Sequence, residues 1–320
     1  MFSYFDLIYD EPAFDSVGYF TPDKNGHVYS RLKGRVRSAS SFHYKIEKGN
    51  KKCSKKCYYA VFDEHGQLRH EEESDMVGNL KQIISYIYDV NNRCVELFIF
   101  DSKGVVSTHY VNRYNEMNLL SEEESFDESG SRGKRVYIYD NQGFVIEDRW
   151  DSRTHGNSWK CLYKNNEHGD WVEMKEYKGE YDSSDYWYSR KNIKKYDDNN
   201  RLIEHIYVNN DGKENNLSID EYDEKGRCIK MSDFKLIFFY DGRDRFIEAR
   251  NPEGQLVIRV LYNEDNSIII LRYSQESLQI EKKRDVKFDS HGNVIKILYY
   301  EGENLELVEV ASYCYEYYPE

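Results

Sequence analysis

The stretch Tyr139-Asp140-Asn141-Gln142-Gly143-Phe144-Val145 recurs, with variations, down most of the chain. It returns as Phe62-Asp63-Glu64-His65-Gly66-Gln67-Leu68, as Tyr222-Asp223-Glu224-Lys225-Gly226-Arg227-Cys228 and as Phe288-Asp289-Ser290-His291-Gly292-Asn293-Val294. Elsewhere Asn stands where Gly stood: Asn92 after Tyr88-Asp89, Asn118 after Tyr114-Asn115, Asn200 after Tyr196-Asp197 and Asn266 after Tyr262-Asn263. After Tyr240-Asp241 the position holds Asp244. Gly, Asn and Asp share a tolerance for positive φ, so one backbone conformation is requested at every copy. The leading Asp or Asn accepts a hydrogen bond from the backbone N–H two residues on and closes the turn. Each copy therefore reads as a hairpin: strand, short turn with a left-handed residue, strand.

The turns introduced by Phe62, Tyr88, Phe100, Tyr114, Phe126 and Tyr139 lie about 12 to 14 residues apart where adjacent, the rhythm of a β-meander. The longer gap between Phe62 and Tyr88 fits two strands joined by a turn whose signature has drifted. The repeat resumes at Tyr196, Tyr207, Tyr222, Tyr240, Tyr262 and Phe288. Helical periodicity is nowhere sustained. The predicted fold is all-β: a repetitive antiparallel β-hairpin meander forming an elongated, twisted sheet. Residues 1–57 are the least regular and read as an N-terminal cap, because a repeat stack needs an atypical first unit over its open end. Residues 58–320 form the repeat body, with a lengthened Trp- and Tyr-rich segment at 146–195. The terminal run Tyr313-Cys314-Tyr315-Glu316-Tyr317-Tyr318 is expected to close or protect the last edge.

Composition agrees with thin sheets. Of 320 residues, 39% are hydrophobic, 30 are Tyr and only four are Pro. Tyr covers a pleat with its ring and keeps its hydroxyl wet, whereas Pro interrupts a ladder. The net charge of −13 argues against nucleic acid, since phosphate neutralisation needs clustered Lys and Arg. It suits a basic protein partner, and it serves solubility equally well. The start, Met1-Phe2-Ser3-Tyr4-Phe5-Asp6, lacks the n- and h-regions of a signal peptide, and no apolar run reaches membrane-spanning length. Six scattered cysteines show no disulfide rhythm, and Cys94 and Cys228 take the apolar slot after a turn. A cytoplasmic protein with no membrane association is expected.

The chain resembles the YD-repeat (Rhs-type) β-repeat family, whose signature is Tyr-Asp-x-x-Gly-Arg/Asn-Leu with an aromatic two residues before the Tyr. Tyr86-Ile87-Tyr88-Asp89, Tyr137-Ile138-Tyr139-Asp140 and Phe238-Phe239-Tyr240-Asp241 match the lead-in. Gly226-Arg227, Asn92-Arg93, Asn200-Arg201-Leu202 and Gly292-Asn293-Val294 match the exit. A dozen weak copies together mark a repeat class. The resemblance implies winding β-sheets that serve as shells, cell-surface structures or binding scaffolds, and related short repeats occur in antitoxin and immunity-like proteins. The chain departs from the family in showing neither a core cleavage segment nor a C-terminal toxin module.

Chemistry-bearing motifs are sparse. Cys53, Cys57, His65 and His70 lack the arm of a zinc finger, and His65 falls inside a turn copy, so no metal and no cofactor are expected. The basic run Lys48, Lys51, Lys52, Lys55 and Lys56 reads as a solvated loop. Glu71-Glu72-Glu73 and Glu122-Glu123-Glu124 read as solvated edges or loops. Nucleophile elbow, phosphate loop, HExxH and dinucleotide fingerprint are all missing, which argues against an enzyme. All four Trp fall within 38 residues, and aromatic residues dominate binding hot spots. Trp150, Trp159, Trp171, Tyr181, Tyr186, Trp187 and Tyr188 are therefore the candidate binding residues; burial as a local core is the competing reading. The function expected is protein binding without catalysis, as an immunity- or antitoxin-type partner of a bacterial toxin. The alternatives are a structural or cell-surface Rhs-type protein, and a carbohydrate-binding module or glycoside-active enzyme using stacked aromatics with carboxylates.

Overall fold

The computed structural model describes residues 32–47, 50–75, 78–153, 158–179, 186–218, 220–231, 235–274, 276–302 and 304–319. For residues 47, 50–57, 186 and 215–218 only the backbone is described. These residues form 23 strands and no helix. In chain order the first five are β1 (Val36–Glu47), β2 (Asn50–Phe62), β3 (Leu68–Ser74), β4 (Leu80–Tyr88) and β5 (Cys94–Asp101). Next come β6 (Val106–Tyr114), β7 (Leu120–Asp127), β8 (Gly130–Tyr139), β9 (Val145–Ser152), β10 (Ser158–Asn165) and β11 (Trp171–Gly179). They are followed by β12 (Tyr186–Tyr196), β13 (Leu202–Val208), β14 (Glu214–Ser218), β15 (Asp220–Tyr222), β16 (Cys228–Met231) and β17 (Leu236–Tyr240). The last six are β18 (Phe246–Arg250), β19 (Leu256–Tyr262), β20 (Ile268–Tyr273), β21 (Ile280–Phe288), β22 (Val294–Glu301) and β23 (Glu306–Tyr317).

The chain divides into two units. One combines residues 32–105 with 239–319; the other spans 106–238. In the first, neighbours run β18-β19-β20-β21-β22-β23-β1-β2-β3-β4-β5, every pairing antiparallel. In the second, β6 to β14 pair in sequence order, and β15, β16 and β17 do the same. The fold is an all-β antiparallel hairpin meander. The described part of the 1–57 segment is β1 and most of β2, which lie between β23 and β3 as ordinary members of the sheet. Residues 1–31, with Tyr9-Asp10 and the Phe20–Gly26 turn, lie outside the described residues. The terminal strand β23 pairs with β22 on one side and β1 on the other, so its free edge is covered.

The turns form as the residues request. Asn92, Asn118, Asn200, Asp244 and Asn266 all hold φ near +60°, and Gly66, Gly143, Gly226 and Gly292 near +80°. At Asp140, Oδ1 accepts the N–H of Gln142 and of Phe144, each at 2.9 Å. The Gly143 N–H donates to the Asp140 carbonyl and the Asp140 N–H to that of Phe144. This is a type I turn followed by a left-handed residue, the three-residue hairpin loop. The drifted turn between Phe62 and Tyr88 is Asp75–Asn79, closed by the same two backbone bonds. Leaving most of these turns, the strand carries one extra residue opposite its partner, for example Arg69, Ile146, Ile203 and Ile295, whereas β20 leaves the Asn263–Ser267 turn in unbroken register. That bulge sharpens the local twist.

Tyr at the repeat's first position has a specific task. The hydroxyl of Tyr139 donates to the carbonyl of Leu120, in the slot after the preceding turn at the same end of the strands, at 2.6 Å. Tyr88 does the same for Leu68, Tyr196 for Trp171, Tyr262 for Phe246 and Tyr315 for Val294. These rings therefore lie along the protected side of the sheet. The aliphatics between them, such as Ile87, Ile138 and Leu261, are exposed. Four copies add an Arg directly after the left-handed residue: Arg93, Arg201, Arg227 and Arg245 each bind Oδ2 of the turn's own Asp, at 2.6–2.8 Å through Nε. In the first unit the interior is built of small and β-branched residues, with Ala39, Ala60, Ala249 and Ala311 fully buried beside Ile258, Val286 and Val310.

Candidate protein-binding surface

Strands β9 to β12 carry the Trp-rich segment. The repeat runs through it in altered letters: Asn165-Asn166 stand where Tyr-Asp stand elsewhere. Oδ1 of Asn166 accepts the N–H of His168 and of Asp170, both at 3.0 Å, and Gly169 holds φ +84°. Asn165 Nδ2 donates to the Val145 carbonyl at 2.8 Å, replacing the tyrosine hydroxyl. Trp171 thereby falls in the apolar slot after the turn.

Alternation along the pleat separates two faces. On one, Arg135 binds Asp148 through two bonds, Nε to Oδ1 at 2.9 Å and Nη2 to Oδ2 at 2.6 Å. The guanidinium carbon lies 4.9 Å from the Tyr137 ring centre and 5.4 Å from that of Trp159. The bond to Asp148 raises the pKa of Arg135, so this cation is fixed. Burial raises that of Glu123 on the next strand, and pushes the Cys161 thiol up to about 11. Trp150 pairs across the sheet with Trp159 and Arg135, and its indole occupies the space left by Gly133. Trp150 and Trp159 are half-buried in this packing.

The other face of β10–β12 is basic and aromatic. Lys164, Lys175 and Lys191 surround Glu173, at 3.3, 3.6 and 2.6 Å. Their ammonium groups, Lys191 foremost, hold its carboxyl below the usual range. Lys160 lies over the Tyr177 ring at 5.6 Å, and Tyr177 meets the exposed Tyr188 edge to face at 5.9 Å. Trp187, one place earlier and so directed to the opposite side, is 55% exposed. Trp171 is half-buried, with the Lys194 ammonium 3.8 Å above it and His205 against its edge. Burial lowers the pKa of Lys194. The candidate residues thus divide: Trp187 and Tyr188 stand open, while Trp150, Trp159 and Trp171 are half-buried. Tyr186 pairs through its backbone with Gly179, its side chain being outside the described residues, as is all of Tyr181.

A second polar cluster lies in the first unit. Glu71 is buried, and its two oxygens accept the hydroxyls of Tyr58 at 2.5 Å and Tyr86 at 2.6 Å. Burial raises the pKa of Glu71. This corrects the reading of both acidic triplets as solvated edges. They lie in strands β3 and β7, so the middle or leading residue of each turns to the protected face. Only the positions of Tyr58 and Tyr86 on adjoining strands identify Glu71, and that is not a local signal.

Of Cys53, Cys57, His65 and His70, only the two histidines have described side chains. His65 is exposed on its turn, His70 lies 3.2 Å from Glu72, and the side chains of Cys53 and Cys57 are outside the described residues, as are those of the Lys48–Lys56 run. Among the described residues no group of three or more metal-ligating side chains converges, and Cys94, Cys161, Cys228 and Cys314 form no disulfide there.

No protein-family model matches the sequence, and no curated protein matches it. Among solved structures the chain is similar to the Photorhabdus luminescens Tc holotoxin pore. There it is 12% identical over 76% of this chain and 15% of that one, with a TM-score of 0.35. It is similar also to TcdB2-TccC3 without the hypervariable C-terminal region, at 12% identity over 85% and 17% of the two chains and a TM-score of 0.35. A porin-like protein from Bacteroides uniformis is 11% identical over 89% of this chain and 99% of its own, at a TM-score of 0.29. This chain spans less than a fifth of the length of the two Tc proteins.

Proposed function

We propose that this β-repeat protein is a non-enzymatic binder of another protein, and that β10–β12 present the binding surface. The observation that carries the reading is the exposure of Tyr188 on the Lys-bearing face and of Trp187 on the other side of the same strand, which β11 holds at these residues and β13 from Lys191 onward. Rigid aromatic side chains on a pre-formed scaffold lose little entropy on becoming contacts. The ionisable groups on the covered face serve packing: Arg135 and Asp148 satisfy each other, and Glu71 is satisfied by two phenols. The resemblance to YD-repeat proteins supports, more narrowly, an immunity-type role toward a toxin.

The test is co-expression of the tagged protein with the products of the genes beside its own. One of them should be retained on the tag, and the double variant Trp187→Ala/Tyr188→Ala should weaken that retention at least about tenfold. Retention unaffected by the double variant would remove the surface from consideration.

A further inference from the structure

We infer that the Lys- and Tyr-bearing face of β10–β12 takes an acidic polypeptide segment of its partner. This rests on the protein-binding reading and gives that partner its chemistry. Read over the whole chain, a charge of −13 points to a basic partner. Locally the sign reverses. On this face the three strands carry Lys160, Lys164, Lys175, Lys191 and Lys195 against one carboxylate, Glu173. The acidic turn residues Glu167 and Asp170 lie beyond the strand ends and bound the patch.

The geometry already displays carboxylate recognition. Three ammonium groups from three neighbouring strands converge on Glu173 within 2.6 to 3.6 Å. One negative charge cannot neutralise three positive ones, so the cluster retains an excess of two. Lys160 adds another charge beside the Tyr177–Tyr188 pair. Alternate side chains of an extended chain recur about 6.8 Å apart, the same repeat as same-face side chains along a strand, so a peptide lying along β10 brings alternate carboxylates into step with Lys160 and Lys164. The phenol hydroxyls of Tyr177 and Tyr188 add donors to backbone carbonyls.

Single-stranded nucleic acid fits less well. It needs ring faces on which bases stack. Here the Tyr177 face carries Lys160, and the two rings meet at 73° rather than in parallel. The cations are ammonium groups, without the guanidinium fork that matches phosphate.

Fluorescence anisotropy with a labelled oligoglutamate peptide tests the inference, beside oligolysine and oligothymidylate of equal charge number. Oligoglutamate should bind, weakening steeply as salt rises from about 0.05 to about 0.2 M. Lys164→Gln/Lys191→Gln should weaken it about tenfold, and Lys103→Gln/Lys287→Gln, an equal charge loss in the other unit, should leave it unchanged. Lys160→Gln, which leaves the Glu173 cluster intact, gives a smaller loss and stands in if the double variant does not fold. Equal effects of the patch and control variants, or tighter binding of oligothymidylate, would overturn the inference. So would failure of oligoglutamate to bind while the neighbouring-gene partner is still held through Trp187 and Tyr188; that result would leave the protein-binding reading standing.

Discussion

Replacing Tyr139 by Phe removes one oxygen and leaves the ring. The lost group is the donor to the Leu120 carbonyl at 2.6 Å, and Leu120 is only 4% exposed, so water does not readily replace it. A typical hydrogen bond contributes about 0.5–1.5 kcal/mol net, while an acceptor left buried and unpaired costs about 1–3 kcal/mol. The expected loss is therefore about 1.5–2 kcal/mol. All four Trp lie between residues 150 and 187, so tryptophan fluorescence during urea unfolding reports the unit that contains Tyr139. With a urea dependence of about 2 kcal/mol per molar, the midpoint should fall by roughly 0.7–1 M. The pH dependence has a definite sign. Burial pushes the Tyr139 phenol up to about 12, so its contribution is complete below the ordinary phenol value near 10 and is lost as pH rises toward 12. The gap between wild type and variant should narrow over that interval. Midpoints at neutral pH unchanged both in Tyr139→Phe and in Tyr196→Phe would refute the hydrogen-bonding role and leave only ring packing.

Other outcomes are equally specific. At Gly143, with φ +84° and Leu119 Cδ1 3.3 Å from a would-be Cβ, Asn should be nearly neutral and Val should cost about 1–3 kcal/mol; equal damage from both would contradict the left-handed turn. At Gly133 a Cβ would stand 2.6 Å from Trp150 Cζ2 and 2.7 Å from the Asp151 carbonyl, so Ala should cost about 1–3 kcal/mol and alter tryptophan emission, and an unmoved midpoint would show the contact relaxes freely. Burial raises the Glu71 pKa, so its contribution is present below about 4.3 and is lost as pH climbs through the raised value; Glu71→Gln should flatten the fall in melting temperature as pH rises above the ordinary carboxylate range, and parallel curves would exclude the effect. Acrylamide should quench one tryptophan strongly, and Trp187→Phe should abolish that component; its persistence would place the accessible indole elsewhere.

The turns were legible because positive φ is a local demand and Gly, Asn and Asp are the local answers. The antiparallel meander order followed from their spacing. Which face of a strand is covered was harder. In Val136-Tyr137-Ile138-Tyr139 hydropathy alone sends the isoleucine inward, yet Ile138 is exposed and the tyrosines lie on the protected side, where Tyr139 finds a carbonyl. Glu71 looked like one acid among many because its partners lie 13 and 15 residues away on neighbouring strands. Asn165-Asn166 hid a full turn, since an amide can do the work of both the phenol and the carboxylate. In the Trp-rich segment, composition marked the stretch but could not separate indoles packed beside Arg135 from the one left open at Trp187.

The pairing of β1 with β23 bears on how the protein is made. Ser38 reaches Glu316 across 278 positions, so a ribosome must deliver almost the whole chain before the first strand acquires its second neighbour. Until then β1 offers an unpaired edge, open to another copy or to a wrong strand of its own chain. The long wait is a hazard of time more than of free energy. Closure entropy grows only logarithmically, about 0.6 kcal/mol per doubling, so adding or removing a two-stranded hairpin of about 26 residues within the intervening chain would change it by only about 0.1 kcal/mol. An ancestor could therefore have gained or shed hairpins between the two ends with little entropic penalty for reuniting them.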